Sequence, residues 1–172
     1  MLSTIALFAS SRRHGNTGRL MDQVAQQLDV PVVDLGQLRI SAFDYEHRNR
    51  NDQFEPLMQQ VLAHEQIIFA SPVYWYAVSP PMKIFLDRIS DLLEVPELLE
   101  QGRRLRGKLA HLVCTSIEEQ PTSAFTGAWR ETFAYLGMRC GHVLHANCHD
   151  GYVAENYRGD IEAFVGQLRA QG

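Results

Sequence analysis

Residues 4–18 read Thr4-Ile5-Ala6-Leu7-Phe8-Ala9-Ser10-Ser11-Arg12-Arg13-His14-Gly15-Asn16-Thr17-Gly18, an apolar run passing directly into a polar, basic loop. From Ile5 to Ala9 no polar residue interrupts the run, the pattern of a parallel strand covered by helices on both faces rather than of a strand with one wet face. Beyond the loop, Leu20, Met21, Val24, Ala25 and Leu28 recur at helical spacing, and Thr17 is placed to cap that helix. Strand, polar loop and helix in this order are the opening unit of an α/β domain.

The same rhythm continues outward. Apolar runs at 30–35, 66–70, 109–115 and 142–147 predict four more strands. Helical patterns fit 55–64, 123–136 (with Phe125, Trp129, Phe133 and Leu136 apolar) and 156–169. A further helix starts at Ser79-Pro80-Pro81, where serine can cap and proline is tolerated in the first turn, and its stripe Ile84, Phe85, Ile89, Leu92 and Leu93 is expected inside. Residues 36–54 show no clear period. A connection of that length is either a lid, an interface or binding segment, or a solvated excursion.

Composition bounds the function. A chain of 172 residues, 45% hydrophobic and 21% charged, fits one domain spanning 1–172. A net charge of −4 lacks the basic footprint of a nucleic-acid binder. Cys114, Cys140 and Cys148 contain no C-x-x-C, so neither a disulfide framework nor a four-cysteine metal site is indicated, and nothing in the sequence lowers the pKa of Cys148 toward a reactive thiolate. His142 and His145 do not share a strand face, and with His149 and Asp150 they lack ligand spacing, so no metal is expected. The apolar N-terminal stretch is too short to span a membrane, and no signal-peptide pattern accompanies it; a cytoplasmic protein without membrane or nucleic-acid partners is expected.

Ligands of an open parallel sheet bind beyond the carboxyl ends of its strands, where the strand order reverses. The loop from Ser10 to Gly18 offers hydroxyls, a guanidinium and a helix N-terminus, which together suit a phosphate dianion. It has neither G-x-x-x-x-G-K-[ST] nor G-x-G-x-x-G, so a terminal phosphate monoester fits better than a buried pyrophosphate. After the third apolar run comes Ser71-Pro72-Val73-Tyr74-Trp75-Tyr76-Ala77-Val78-Ser79. Three consecutive aromatics cannot all enter one core, so at least one is expected against solvent or a flat ligand. In the strand order 2-1-3-4-5 these two loops flank one crevice, a geometry that selects flavin mononucleotide, FMN.

Ser10-x-Arg12-x-x-Gly15-Asn16-Thr17, then Pro72-Val73-Tyr74-Trp75, then Ser79-x-x-x-Lys83-x-Phe85-x-Asp87-Arg88 together resemble the NADPH-dependent FMN reductase family of flavodoxin-like proteins, most strongly over 3–28 and 51–93. The resemblance implies a flavodoxin-like three-layer sandwich on a five-stranded parallel sheet. It implies that Ser10, Arg12, Asn16 and Thr17 hold the FMN phosphate, that Pro72, Val73, Tyr74 and Trp75 line the isoalloxazine ring, and that Thr115 and Ser116 lie near the ring or ribityl chain. The segment from Cys114 to Glu119 lacks the glycines common there in relatives. Iron-sulfur relatives carry a cysteine cluster in the long connection; residues 40–53 here contain no cysteine, and no metal cluster is expected.

The implied activity is electron transfer from NADPH or NADH through FMN to a small acceptor: a quinone, flavin, nitro or azo compound, or a metal ion. Since the flavin carries the chemistry, no side chain is singled out as catalytic. The alternatives are an FMN electron carrier, for which −4 is a modest charge, and a flavin-free domain using its aromatic loop as an interface. A homodimer or homotetramer is expected, with residues 74–76 and 40–54 supplying contacts. Lys83, Asp87 and Arg88 are assigned structural or interface roles, and 103–108 a solvated turn.

Overall fold

The computed structural model describes residues 2–171. Five strands, β1 (Thr4–Phe8), β2 (Val32–Asp34), β3 (Gln66–Pro72), β4 (Leu109–Ser116) and β5 (Arg139–Asn147), form one sheet in the order β2-β1-β3-β4-β5. All four pairings are parallel, giving the flavodoxin-like doubly wound order with its reversal between β1 and β3. Every residue of β1 and β3 is buried, which is why their sequences run apolar without alternating.

Helices α1 (Asn16–Leu28), α2 (Phe54–Leu62), α3 (Pro80–Arg88), α4 (Asp91–Glu94), α5 (Leu99–Arg103), α6 (Ser123–Tyr135) and α7 (Arg158–Arg169) cover the two faces. On one face, Phe85 of α3 and Trp129 and Phe133 of α6 belong to a core with Leu7 and Phe69; on the other, Leu20 of α1 and Phe164 of α7 join Phe8 and Ile68. Three layers result, as the apolar periodicities require.

The helix expected after Ser79 is not continuous. α3 stops at Arg88, bonds of the i to i−3 type follow (among them Ser90 N to Asp87 O, 3.1 Å, and Leu92 N to Ile89 O, 3.0 Å), and α4 begins at Asp91. Past the break Leu93 is 40% exposed, and within α3 Ile84 is only half-buried, against the expectation that both lie inside. In exchange Arg88 and Asp91 become fully buried. Pro80 and Pro81 do occupy the first turn of α3, but the Ser79 hydroxyl caps nothing: it donates to the carbonyl of Ala9 at 2.8 Å, tying α3 to the end of β1.

Residues 36–54 are built around that buried arginine. Arg88 donates through Nη1 to Asp52 Oδ2 at 2.5 Å and to the carbonyl of Ser41 at 3.1 Å, and through Nε to Asp91 Oδ2 at 2.8 Å, with its guanidinium 4.8 Å from the centre of the Phe54 ring. Burial alone raises the Asp52 pKa, but the N–H groups of Ser41 and Phe54 and the Arg88 guanidinium outweigh it and hold the carboxyl below its ordinary value. His47 Nδ1 reaches Asp91 Oδ1 at 2.9 Å. The connection is therefore pinned at several points and is no free excursion.

A second polar knot lies where β4 meets the edge strand. His111 is fully buried; Nε2 faces Gln66 Oε1 at 2.9 Å, and Nδ1 accepts the N–H of His142 at 3.0 Å. The strand register shifts between Ala110 and Leu112, and a Cβ on Gly141 would come within 2.3 Å of the His111 ring, so glycine is what lets β5 pass. Burial, with His142 adding to it, pushes the His111 pKa down to about 4.

Candidate functional site

The carboxyl ends of β1, β3 and β4 open into a crevice of about 370 Å³. All ten residues expected around a flavin lie along it: Ser10, Arg12, Asn16 and Thr17 from the first loop, Pro72, Val73, Tyr74 and Trp75 from the third, and Thr115 and Ser116 from the end of β4. The sheet brings them together because β3 sits between β1 and β4.

The first loop folds back tightly. Gly15 N–H donates to the Arg12 carbonyl at 3.1 Å, and a Cβ on Gly18 would stand 1.8 Å from the Arg13 carbonyl oxygen, so no side chain fits there. Thr17 does not cap α1 as its position suggested. Gly15 occupies the cap position without a side-chain bond, while the buried Thr17 hydroxyl pairs with the Thr115 hydroxyl at 2.7 Å, joining the loop to β4. The N–H groups of Asn16, Thr17 and Gly18 accordingly have no partner within the helix, and the positive end of the dipole is uncompensated by any acidic residue in the first turn.

The two adjacent arginines separate in role. Arg13 pairs with Asp22 at 2.6 Å and lies over the Phe8 ring at 5.0 Å. Arg12 is exposed and forms no ion pair among the described residues. An uncapped helix start, a free guanidinium and the Ser10 hydroxyl form a donor set suited to a phosphate dianion.

The aromatic loop is a two-residue hairpin. Tyr74 N–H donates to Ala77 O at 2.8 Å and Ala77 N–H to Tyr74 O at 3.0 Å, with Trp75 and Tyr76 both left-handed at φ 49° and 62°. Such turns favour Asn-Gly; two aromatics here cost about 1–2 kcal/mol each. Strain of this kind persists where the surroundings enforce it, commonly at ligand sites. The base is fixed, since Val73 N–H donates to the Thr115 carbonyl at 2.9 Å and Ser79 N–H to the Ser71 hydroxyl at 2.9 Å. At the tip Trp75 is 95% exposed, and the N–H groups of Trp75 and Tyr76 find no acceptor among the described residues. A planar ring with hydrogen-bond acceptors on its edge matches that surface, so the residues present fit FMN at both ends.

Several lining residues escaped the sequence reading: Tyr76, Ile117, Glu118, Pro121, Thr122 and Cys148. Tyr76 belongs to the aromatic run already singled out. Thr122 carries the signal of a helix cap, and its hydroxyl does accept the Phe125 N–H at 3.4 Å at the start of α6. Cys148 reaches the crevice because its N–H donates to the Ser116 carbonyl at 2.7 Å; burial raises its thiol pKa, which Arg19 only partly offsets, so it is no poised thiolate. His142 and His145 diverge, the first stacked on His111 and the second hydrogen-bonded through Nε2 to the Ser116 hydroxyl, and no cluster of metal-ligating side chains occurs among the described residues.

Comparison with known proteins places the chain in a family and gives the same fold. The chain is 24% identical over 157 residues to YwqN of Bacillus subtilis (strain 168), a protein named as an NAD(P)H-dependent FMN-containing oxidoreductase, covering 86% of this chain and 87% of that one. Among solved structures, the apo form of an NADH:FMN oxidoreductase superposes with a TM-score of 0.70 at 15% identity, covering 99% of this chain and 90% of that one. An FMN-dependent NADH-azoreductase from Bacillus anthracis str. Ames Ancestor, solved with FMN, also gives 0.70, at 10% identity and coverage of 96% and 99%. The family model described as NADPH-dependent FMN reductase matches residues 2–145, and the chain belongs to that family of FMN-dependent NAD(P)H oxidoreductases.

Proposed function

We propose that the crevice between the Ser10–Gly18 loop and the Trp75–Tyr76 hairpin is the FMN site, from which electrons of NADPH or NADH reach a small acceptor. The observation that carries this reading is the meeting, at the switch point of the sheet, of an uncapped helix start with a strained aromatic tip. Bound there, FMN supplies a hydride acceptor for the nicotinamide and an electron donor for the second substrate.

The chain's own residues bind and orient. Arg12, Ser10, Asn16 and the α1 N–H groups hold the phosphate, and Thr17 keeps that loop against Thr115. Pro72, Val73 and Tyr74 form a wall for the ring, and the free N–H groups of Trp75 and Tyr76 face its polar edge. Thr115 and Ser116 bound the far side. The acceptor belongs to the quinones, flavins, nitro or azo compounds, or metal ions. The 1–172 chain acts as one domain in the cytoplasm; no helix among the described residues is long and apolar enough to cross a membrane.

Exposure of Trp75 at 95% and Tyr45 at 85% supports a homodimer or homotetramer closing over the crevice mouth. Sedimentation should then show an oligomer that Trp75→Ser weakens. For the activity, the purified chain is mixed with FMN and then with NADPH or NADH under nitrogen. Uptake of the yellow cofactor and prompt bleaching without any protein partner are expected; a chain that takes up no FMN refutes the reading, and uptake with only slow bleaching points to an electron carrier.

A further inference from the structure

Hydride transfer from a reduced nicotinamide delivers two electrons and one hydrogen. Reduction of a quinone-type acceptor to its dihydro form therefore takes up one more proton from water, which has to reach the flavin crevice. The crevice has a polar exit of its own. Ser116 Oγ, which accepts the Glu118 N–H at 3.2 Å, lies 2.8 Å from His145 Nε2. The register of β4 and β5 sets His145 opposite Cys114, so the imidazole reaches diagonally along the sheet to Ser116.

On its other side His145 lines a second cavity of about 550 Å³, which shares Pro121 with the crevice and wraps around the edge strand. His145 Nδ1 has no hydrogen-bond partner among the described residues. The titratable and charged groups that line this cavity with His145 are Glu119 of the loop after β4, Arg130 of α6, Tyr157 ahead of α7 and Asp160 of α7; none pairs with the ring among the described residues. Burial lowers the His145 pKa, so at neutral pH the ring is uncharged and both gives and takes a proton.

We propose that Ser116 and His145 form a proton relay joining the flavin crevice to the second cavity, with Ser116 facing the reacting acceptor and His145 a positioning residue acting through it. The relay rests on the flavin reading above. In each turnover a solvent proton binds Nδ1, the Nε2 proton passes to Ser116 Oγ, and the hydroxyl proton leaves for the reduced acceptor. One proton crosses, both residues end neutral, and the imidazole regains its tautomer by exchange with water. The overall reaction is NAD(P)H plus one proton plus acceptor giving NAD(P)⁺ and the dihydro acceptor.

The test uses His145→Gln, which keeps a hydrogen bond to Ser116 but cannot shuttle a proton, and His145→Ala with added imidazole. Turnover of a quinone at saturating NADH should fall about tenfold or more at pH 8 in both variants and less at pH 6, with FMN affinity changed by no more than about twofold. Imidazole should restore the alanine variant, and Ser116→Ala should move the His145 titration followed by NMR in the chain without FMN. Wild-type turnover in His145→Gln, a loss in His145→Ala that imidazole leaves unchanged, or an unmoved titration each overturns the relay while leaving the flavin site standing. Failure of the unmodified chain to bind FMN overturns both.

Discussion

Acid should loosen this fold through His111 before it reaches most of the carboxylates. The ring is fully buried, and its Nδ1 already accepts the His142 N–H at 3.0 Å, so a proton added there would oppose a backbone donor in a site sealed from solvent. Burial first, and His142 second, take the pKa from 6.5 to about 4 in the folded chain. The folded state thus binds fewer protons than the unfolded one between these values, and stability rises with pH across that window. It is complete above about pH 6.5, declines as the pH falls, and is flat again below about 4. At about 1.4 kcal/mol per tenfold, the loss amounts to about 3 kcal/mol. Urea denaturation of the unmodified chain and of His111→Phe, each at pH 7, 5.5 and 4.5, isolates this contribution, because His145 and the carboxylates titrate in both. The variant is less stable at pH 7, since Gln66 Oε1 and the His142 N–H lose their partner, but its stability should fall with acid more shallowly. Parallel pH profiles for the two proteins refute the assignment.

Three further outcomes follow from the site and its supports. Arg12→Ala removes an unpaired guanidinium and should weaken FMN binding by about tenfold to a hundredfold in a fluorescence titration, the worth of a charge-assisted hydrogen bond, whereas Arg13→Ala, whose partner is Asp22, should have a much smaller effect. Tyr76→Gly relieves a left-handed tyrosine and should raise thermal stability by about 1 kcal/mol while lowering FMN affinity; a gain in both overturns the reading of that strain as functional. Arg88→Met strands two buried carboxylates and should cost about 3–5 kcal/mol in chemical denaturation, much of it recovered when Asp52→Asn and Asp91→Asn are added.

Local pattern made the strands and the first helix legible, because β1 and β3 are buried along their whole length and α1 hides one stripe. What escaped depends on partners distant in the chain. The spacing of Thr17 suits a cap, yet its hydroxyl bonds Thr115, 98 residues away. The helix after Ser79 reads as continuous, but Arg88 is drawn inside by Asp52, 36 residues before it, and the backbone tightens to bring Asp91 in as well. The motif residues that line the crevice could be picked out as a set because each lies at or beyond the carboxyl end of a strand. The conformation of Trp75 and Tyr76 was not, since a turn with two left-handed residues advertises itself by Asn-Gly and here carries neither.

The distribution of unmet polar and steric demand across the sheet is itself an argument about function. Near the amino ends of β3 and β4, Gln66 and His111 are buried polar groups that satisfy each other, and Gln66 also reaches the Leu168 carbonyl at 3.3 Å. At the carboxyl ends, within one crevice, stand a helix without a side-chain cap, an arginine and two backbone N–H groups that find no partner among the described residues, and two strained aromatics. A chain selected for stability alone would place glycine at 76, a change worth about 1 kcal/mol. These deficits fall at the end of the sheet where a flavodoxin-like fold places its ligand and are of the kind a phosphate and a polar planar ring would satisfy, which supports the FMN site proposed above.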